Sequence, residues 1–167
     1  MEFMEVVRRR RSIRKYRDTS VSQGSILEVL EAARLAPSAG HRQPWHFIVV
    51  RDMETIGTLV GGQRWAAEAP VIIVGVADPE GSPDWCYNDL AIAFEHIVLA
   101  AADLGLGTCW MGEKYRDAEI EALLGIPEHL RVIAITPLGV PDERPVPKVR
   151  KGLEEIVSWE RYGGKAR

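Results

Sequence analysis

Cysteine is scarce: Cys86 and Cys109 are the only two in 167 residues. Two thiols make no disulfide framework, and neither sits in the paired spacing of a zinc site. The expectation is a reduced, cytoplasmic protein. Long hydrophobic runs are lacking too. No stretch reaches the ~18 apolar residues of a membrane span, and the charged first residues hold no apolar signal core. His41, His46, His96 and His129 show no metal-ligand grouping, so no metal is expected. Nucleotide signatures are also missing. There is no GxxxxGK loop, and GLG at 105–107 follows a helical pattern, the reverse of a dinucleotide-binding turn. Neither a nucleophile elbow nor HExxH occurs. No side-chain nucleophile or bound metal is therefore expected to carry chemistry.

What is present is unevenly charged. The net charge is -3, yet seven of the 21 basic residues lie in positions 1–17, with two acids, and seven more lie in 144–167, with three. The middle of the chain is strongly acidic. A nucleic-acid binder shows a basic balance over its domain, so this distribution argues against a broad polyanion surface. The densest stretch is RRRRSIRKY, residues 8–16. A first helix over 2–11, at ~100° per residue, puts Phe3, Val6 and Val7 on one face with Arg10 between them. Arg9 falls opposite, four residues after Glu5, as a surface pair. Arg8 and Arg9 thus read as solvated and Arg10 as inward-facing.

Further on, SILE (25–28) has capping-box spacing, with Ser25 as cap and Glu28 three residues later. Ile26, Val29, Leu30 and Ala33 then share a helix face that Pro37 ends. HFIVVR (46–51), TCWM (108–111) and RVIAITPLGV (131–140) read as strands. PVIIVGVA (70–77) is apolar throughout, as in a strand covered on both faces. SPDW (82–85) opens a long helix to about Leu104, with Ser82 as cap and Pro83 at the tolerated first position. Its polar residues, Asn88, Asp89, Glu95, His96 and Asp103, fall within a stripe of ~120°, so the helix is central to the core or part of a subunit interface. A shorter helix spans 116–124, ending at Gly125. Residues 145–151 hold too much proline for a regular element. The expected class is α+β, a mostly antiparallel sheet of four to five strands surrounded by helices, in a single domain over 1–167.

Three separated stretches concentrate chemistry. Residues 10–16, RRSIRKY, offer guanidinium groups and a hydroxyl where a helix ends. APSAGHRQPW (36–45) is a proline-bracketed turn whose small residues let a planar ligand approach the backbone. PKVRK (147–151) adds a cationic pair. Arginine and lysine suit a phosphate monoester, the first by bidentate hydrogen bonds and the second as a point charge. Alone, the middle stretch reads equally as a turn and the last as a solvated tail.

Together and in order, these stretches resemble the nitroreductase family of FMN-dependent oxidoreductases. The resemblance rests on Arg10-Arg11-Ser12-Ile13-Arg14, Pro37-Ser38-Ala39, Gln43-Pro44-Trp45 and Gly105-Leu106-Gly107-Thr108-Cys109-Trp110. Ala69-Pro70 and Pro147-Lys148-Val149-Arg150 also fit, so nearly the whole chain is covered. It implies an intertwined homodimer with FMN at the subunit interface and NADH or NADPH as electron donor. By the same resemblance Arg10, Arg11, Ser12 and Arg14 hold the FMN phosphate, ribityl chain and pyrimidine edge, and Lys148 and Arg150 complete the phosphate site. Pro37, Ser38 and Ala39 line the isoalloxazine from the partner subunit. Gln43 and Met111 belong to the same cofactor-binding motifs, and Gly112 and Glu113 present backbone N–H groups near flavin N5 and O4.

Two positions depart from the family pattern: His41, where asparagine is common, and Glu113, where short members often have glycine. The implied activity passes hydride from NAD(P)H through the flavin to a nitroaromatic, quinone or similar acceptor in ping-pong fashion, with no catalytic side chain of its own. Dehalogenating and flavin-fragmenting members of the same fold are the nearer alternatives, and they usually need extra lid sequence. The alternative of another class is a non-enzymatic basic-patch module binding nucleic acid or protein, whose affinity would fall steeply with salt. Arg10→Ala or Arg14→Ala is expected to lower FMN occupancy of the purified protein and Arg9→Ala to leave it unchanged, as read from the flavin-to-protein absorbance ratio.

Overall fold

The computed structural model describes residues 2–112 and 116–166. Its centre follows from the apolar run at 71–77. Strand β2 (Val71–Ala77) is buried at every position and pairs antiparallel with β1 (Trp45–Val50) on one side and β5 (Arg131–Gly139) on the other. Two short strands, β3 (Gly107–Thr108) and β4 (Met111–Gly112), both pair antiparallel with β5. The result is a five-stranded sheet ordered β1-β2-β5-β3, with β4 beside β5.

Alternation along β2 divides the core into two layers. Val71 and Ile73 face α2 (Gln23–Arg34) and α5 (Cys86–Asp103), where Val29, Ala33, Phe94 and Ile97 meet them. Ile72, Val74 and Val76 face α3 (Met53–Leu59), α4 (Arg64–Ala67) and α6 (Asp117–Leu124), against Ile56, Leu59, Ala66 and Ile120. Helix α1 (Phe3–Arg9) lies against α5, and α7 (Leu153–Ile156) is a single turn in the C-terminal arm. The long helix is central to the core, as its wide apolar face implies. The stretch 145–151 is irregular, and α6 ends at Gly125, both as expected.

Several boundaries differ from the sequence reading. The cap of helix α2 lies three residues before the expected one: Ser22, not Ser25, is the N-cap, and its side chain accepts the Ser25 N–H at 3.0 Å. Helix α5 begins at Cys86 rather than after Ser82, since residues 82–85 form a turn in which the Ser82 carbonyl accepts the Trp85 and Cys86 amides. TCWM is no continuous strand, because Cys109 and Trp110 interrupt the ladder between β3 and β4. The first helix closes at Arg9, and of its apolar face only Val6 is buried in the single chain; Phe3 stays 67% exposed. In the arm, Tyr162 is fully exposed and Trp159 is about half exposed in the single chain.

The feature that positions the chemistry is the docking of residues 12–17 on the sheet edge. The Ile13 amide donates to the Thr108 carbonyl at 2.8 Å, and the Arg17 amide to the Val140 carbonyl at 2.9 Å. The Tyr16 hydroxyl closes the bend by donating to the Ile13 carbonyl at 2.6 Å. This approach needs two residues without side chains. A Cβ on Gly107 would lie 2.8 Å from Ile13, and one on Gly139 would lie 2.9 Å from the Tyr16 ring.

Gly107→Ala is therefore expected to destabilise the protein by about 1–3 kcal/mol through overpacking. Gly57→Ala in α3, where nothing lies within 4 Å of the added Cβ, is expected to stabilise it by ~0.5–1 kcal/mol. Urea melts of both variants measure the two signs.

A cation-lined groove as the candidate functional site

Docking the 12–17 segment brings the two basic ends of the chain together. A groove of about 820 Å³ is lined by Arg10, Arg11, Ser12 and Arg14 from the first seventeen residues and by Lys148 and Arg150 from the irregular arm. All six are residues that the sequence marks for a phosphate-bearing cofactor. Arg8, Glu95, Leu99 and Val146 share the lining. A second groove of about 730 Å³ shares Arg8, Arg10 and Arg11 with the first and adds Arg17, Arg144, Asp103 and Glu143.

The arginines of RRRRSIRKY have separate tasks. Arg9 bonds Glu5 at 3.0 Å on the exposed side of α1, the expected surface pair. Arg10 caps α1, its amide donating to the Val6 carbonyl at 2.9 Å, and its side chain is half-buried. The Arg11 guanidinium donates to the Arg8 and Arg10 carbonyls, both at 2.7 Å. A cation at a helix C-terminus meets unpaired carbonyls and the negative end of the dipole, so Arg11 partly serves the helix. Arg14 is held twice: its amide donates to the Glu143 carboxylate, and its guanidinium lies 5.8 Å from the Trp65 ring centroid. Ser12 hydrogen-bonds the buried Cys109 side chain.

Pro37, Ser38, Ala39 and Gln43 lie outside this groove. Their turn is built on the other half of α5. Its amides are anchored by Asp89 Oδ1, which accepts the Ala39 N–H at 3.0 Å, and by Ser38 Oγ, which accepts the Gln43 N–H at 2.9 Å. Gly40, His41 and Gln43 all take left-handed backbone angles, with φ of 58°, 57° and 50°. Histidine at 41 thus occupies a conformation that asparagine adopts readily. Asp89 and the groove residue Glu95 are six positions apart, about 9 Å along the helix and ~120° around it. Within one chain, the turn residues do not line the cation groove.

Met111 buries its side chain in the core beneath β5, so only its backbone faces outward. Gly112 is exposed beside Ala134, with open space at its Cα. Glu113 falls outside the described residues. Sequence reasoning missed Trp65, Glu143 and the buried Asp89. Trp65 and Glu143 reach Arg14 only through tertiary contact, whereas Asp89 carried a signal, a carboxylate in the first turns of a mostly apolar helix.

Burial pushes the Cys109 thiol up, a shift that Arg14 and the Ser12 hydrogen bond partly counter. Burial likewise raises Cys86, and it raises Tyr16 far above the usual phenol range. Among the described residues no cluster of His, Cys, Asp or Glu suits a metal ion, and no helix is long and apolar enough to cross a membrane.

An antiparallel sheet between helical layers, with a cationic groove at one edge, defines the architectural class, and comparison with known proteins identifies it further. The Nitroreductase family profile matches residues 7–60 and 58–140, and the chain belongs to that family. A protein of Archaeoglobus fulgidus, named "Putative NADH dehydrogenase/NAD(P)H nitroreductase", is 41% identical over 85% of this chain and 87% of its own length. An FMN reductase using NAD(P)H from Bacillus subtilis is 31% identical over 91% of this chain and 71% of its own. The solved structure of an FMN-dependent nitroreductase from Clostridium difficile superposes with a TM-score of 0.84 at 33% identity, covering 95% and 99% of the two chains.

The raised thiol values give a direct check. Both cysteines are expected to resist alkylation in the native protein near neutral pH and to react fully after denaturation. In the folded state thiols and phenol hold their protons more tightly than in the unfolded chain. Their stabilisation is therefore intact at neutral pH, begins to be lost as pH enters the ordinary thiol and phenol range of about 8.5 to 10, and keeps falling toward the raised folded values. Stability measured against pH should fall on that alkaline side.

Proposed function

We propose that this protein is an FMN-dependent NAD(P)H oxidoreductase that reduces a nitroaromatic, quinone or similarly electron-poor acceptor by ping-pong turnover. The observation that carries this reading is the convergence of Arg10, Arg11, Ser12, Arg14, Lys148 and Arg150 on one groove. The donor set fits FMN. Five cations and a hydroxyl match a phosphate dianion and a polyhydroxyl chain, and the volume lies within the ~300–1,000 Å³ of small-molecule sites. The relatives named as FMN reductase and FMN-dependent nitroreductase support the same cofactor. Bound FMN would supply reversible hydride chemistry, which this chain's side chains do not offer.

The chain's own residues bind and orient. Lys148 and Arg150 neutralise the phosphate charge from the arm, while Arg10 and Ser12 grip it from the end of α1. Arg14, braced by Glu143 and Trp65, presents a fixed positive charge that favours an electron-rich ring beside it. The exposed Gly112 leaves the β4 backbone open to a planar ligand. Donor and acceptor would use the same face in turn, since no second binding surface is required.

The ring-lining turn at 37–39 would come from a second copy of the chain, with one cofactor site per domain and two per homodimer. Exposed apolar side chains support this assembly: Phe3 and Met4 on α1, Ile92 on α5, and Leu153, Ile156 and Trp159 on the arm. Burying such a set offsets the cost of association. Neither nucleic acid nor a membrane is needed as a partner.

The purified protein is expected to be yellow, to release FMN on denaturation, and to oxidise NADH or NADPH with a quinone or nitroaromatic acceptor, giving parallel double-reciprocal lines. A colourless protein that fails to bind added FMN would overturn the reading. Sedimentation is expected to show a dimer.

A further inference from the structure

Asp89 is 3% exposed, and its two oxygens fare differently. Oδ1 accepts the Ala39 amide at 3.0 Å. Oδ2 is buried and has no hydrogen-bond partner among the described residues. Among the described residues no ion pair is formed there, although removing a carboxylate from water without a partner is costly. Part of that cost is offset by the location, since residue 89 lies in the first turns of α5, where the helix dipole favours negative charge. Folding alone does not call for a carboxylate here. An asparagine would accept the Ala39 amide equally well and would leave no charged oxygen unpaired.

What Asp89 touches is the turn at 37–43, which three left-handed residues hold in a sparsely populated conformation. With the Ala39 amide taken by Asp89, the turn keeps one orientation. We propose that Asp89 is a positioning residue: it fixes the Ser38–Ala39 turn against α5 and sets a constant negative charge behind the flavin ring that this turn lines, holding the flavin's reduction potential down. The inference rests on the FMN reading above. Reduction adds negative charge to the ring, and a nearby fixed carboxylate disfavours that gain.

Two variants separate the positioning role from the electrostatic one. Asp89→Asn keeps the acceptor for Ala39 and removes the charge. Its thermal midpoint should be unchanged or higher and its FMN affinity retained, while the midpoint potential of bound FMN shifts positive. Asp89→Leu removes the acceptor. Amide exchange at Ala39 should speed up in the FMN-free protein, and FMN affinity should fall roughly tenfold or more. An unchanged potential in Asp89→Asn overturns the electrostatic half. Unchanged exchange at Ala39 in Asp89→Leu overturns the positioning half. If the wild-type protein binds no FMN, the flavin reading fails, and exchange at Ala39 in the FMN-free variants still decides whether Asp89 holds the turn.

Discussion

Two backbone hydrogen bonds, from Ile13 to Thr108 and from Arg17 to Val140, fix the segment on which the site depends. They form at the sheet edge only because Gly107 and Gly139 leave room for Ile13 and Tyr16. Once the segment is seated, Arg10 and Arg14 flank the hydroxyl of Ser12, and the arm carrying Lys148 and Arg150 leaves β5 beside them. A loop free of that edge would scatter Arg10, Arg11 and Arg14, which repel one another. Burial of Ile13 and Tyr16 helps to hold the segment, and Lys15 and Arg17 pair with Asp142, while Arg10, Arg11 and Arg14 line the groove as a group.

The elements most legible in the sequence were those whose apolar pattern is extreme. An eight-residue apolar run gave β2, and a helix apolar over more than half its circumference gave α5. Boundaries were less legible because several residues compete for each. Ser22 and Ser25 both offer cap hydroxyls, and the winner depends on which one lets Ile26, Val29 and Ala33 face the sheet. Ser82-Pro83 looks like a helix start locally, yet a turn at 82–85, in which only Ser82 is buried, comes first. The break between β3 and β4 had no sequence signal. There Cys109 turns inward, its amide bonded to Thr136 Oγ1, and Trp110 swings edge-on to Phe94.

The candidate site was half legible. Side-chain type and helical phase sorted Arg9 from Arg10, and the six cationic and hydroxyl positions that the family resemblance marks for the FMN phosphate, ribityl chain and pyrimidine edge do share a groove. Phase could not show that Arg11 is drawn to the carbonyls ending α1, or that Arg14 rests over Trp65, fifty-one residues away. Those are tertiary contacts between surfaces with no common periodicity. The turn at 37–43 was recognisable as rigid, but that it is anchored to Asp89 and lies outside the cation groove follows only from the tertiary fold.

That separation leads to the central claim, a flavin site assembled from two chains, one giving cations and the other the ring-lining turn. The direct test mixes two defective chains. Arg10→Ala/Arg14→Ala lacks the cations, and Ala39→Trp fills the space at the turn. Each alone should bind little FMN. Co-refolded at equal amounts, they should form hybrid dimers with one intact site, binding about one FMN per four chains by random pairing of a two-fold dimer. A mixture that binds no more FMN than its two parents would contradict a site shared between subunits.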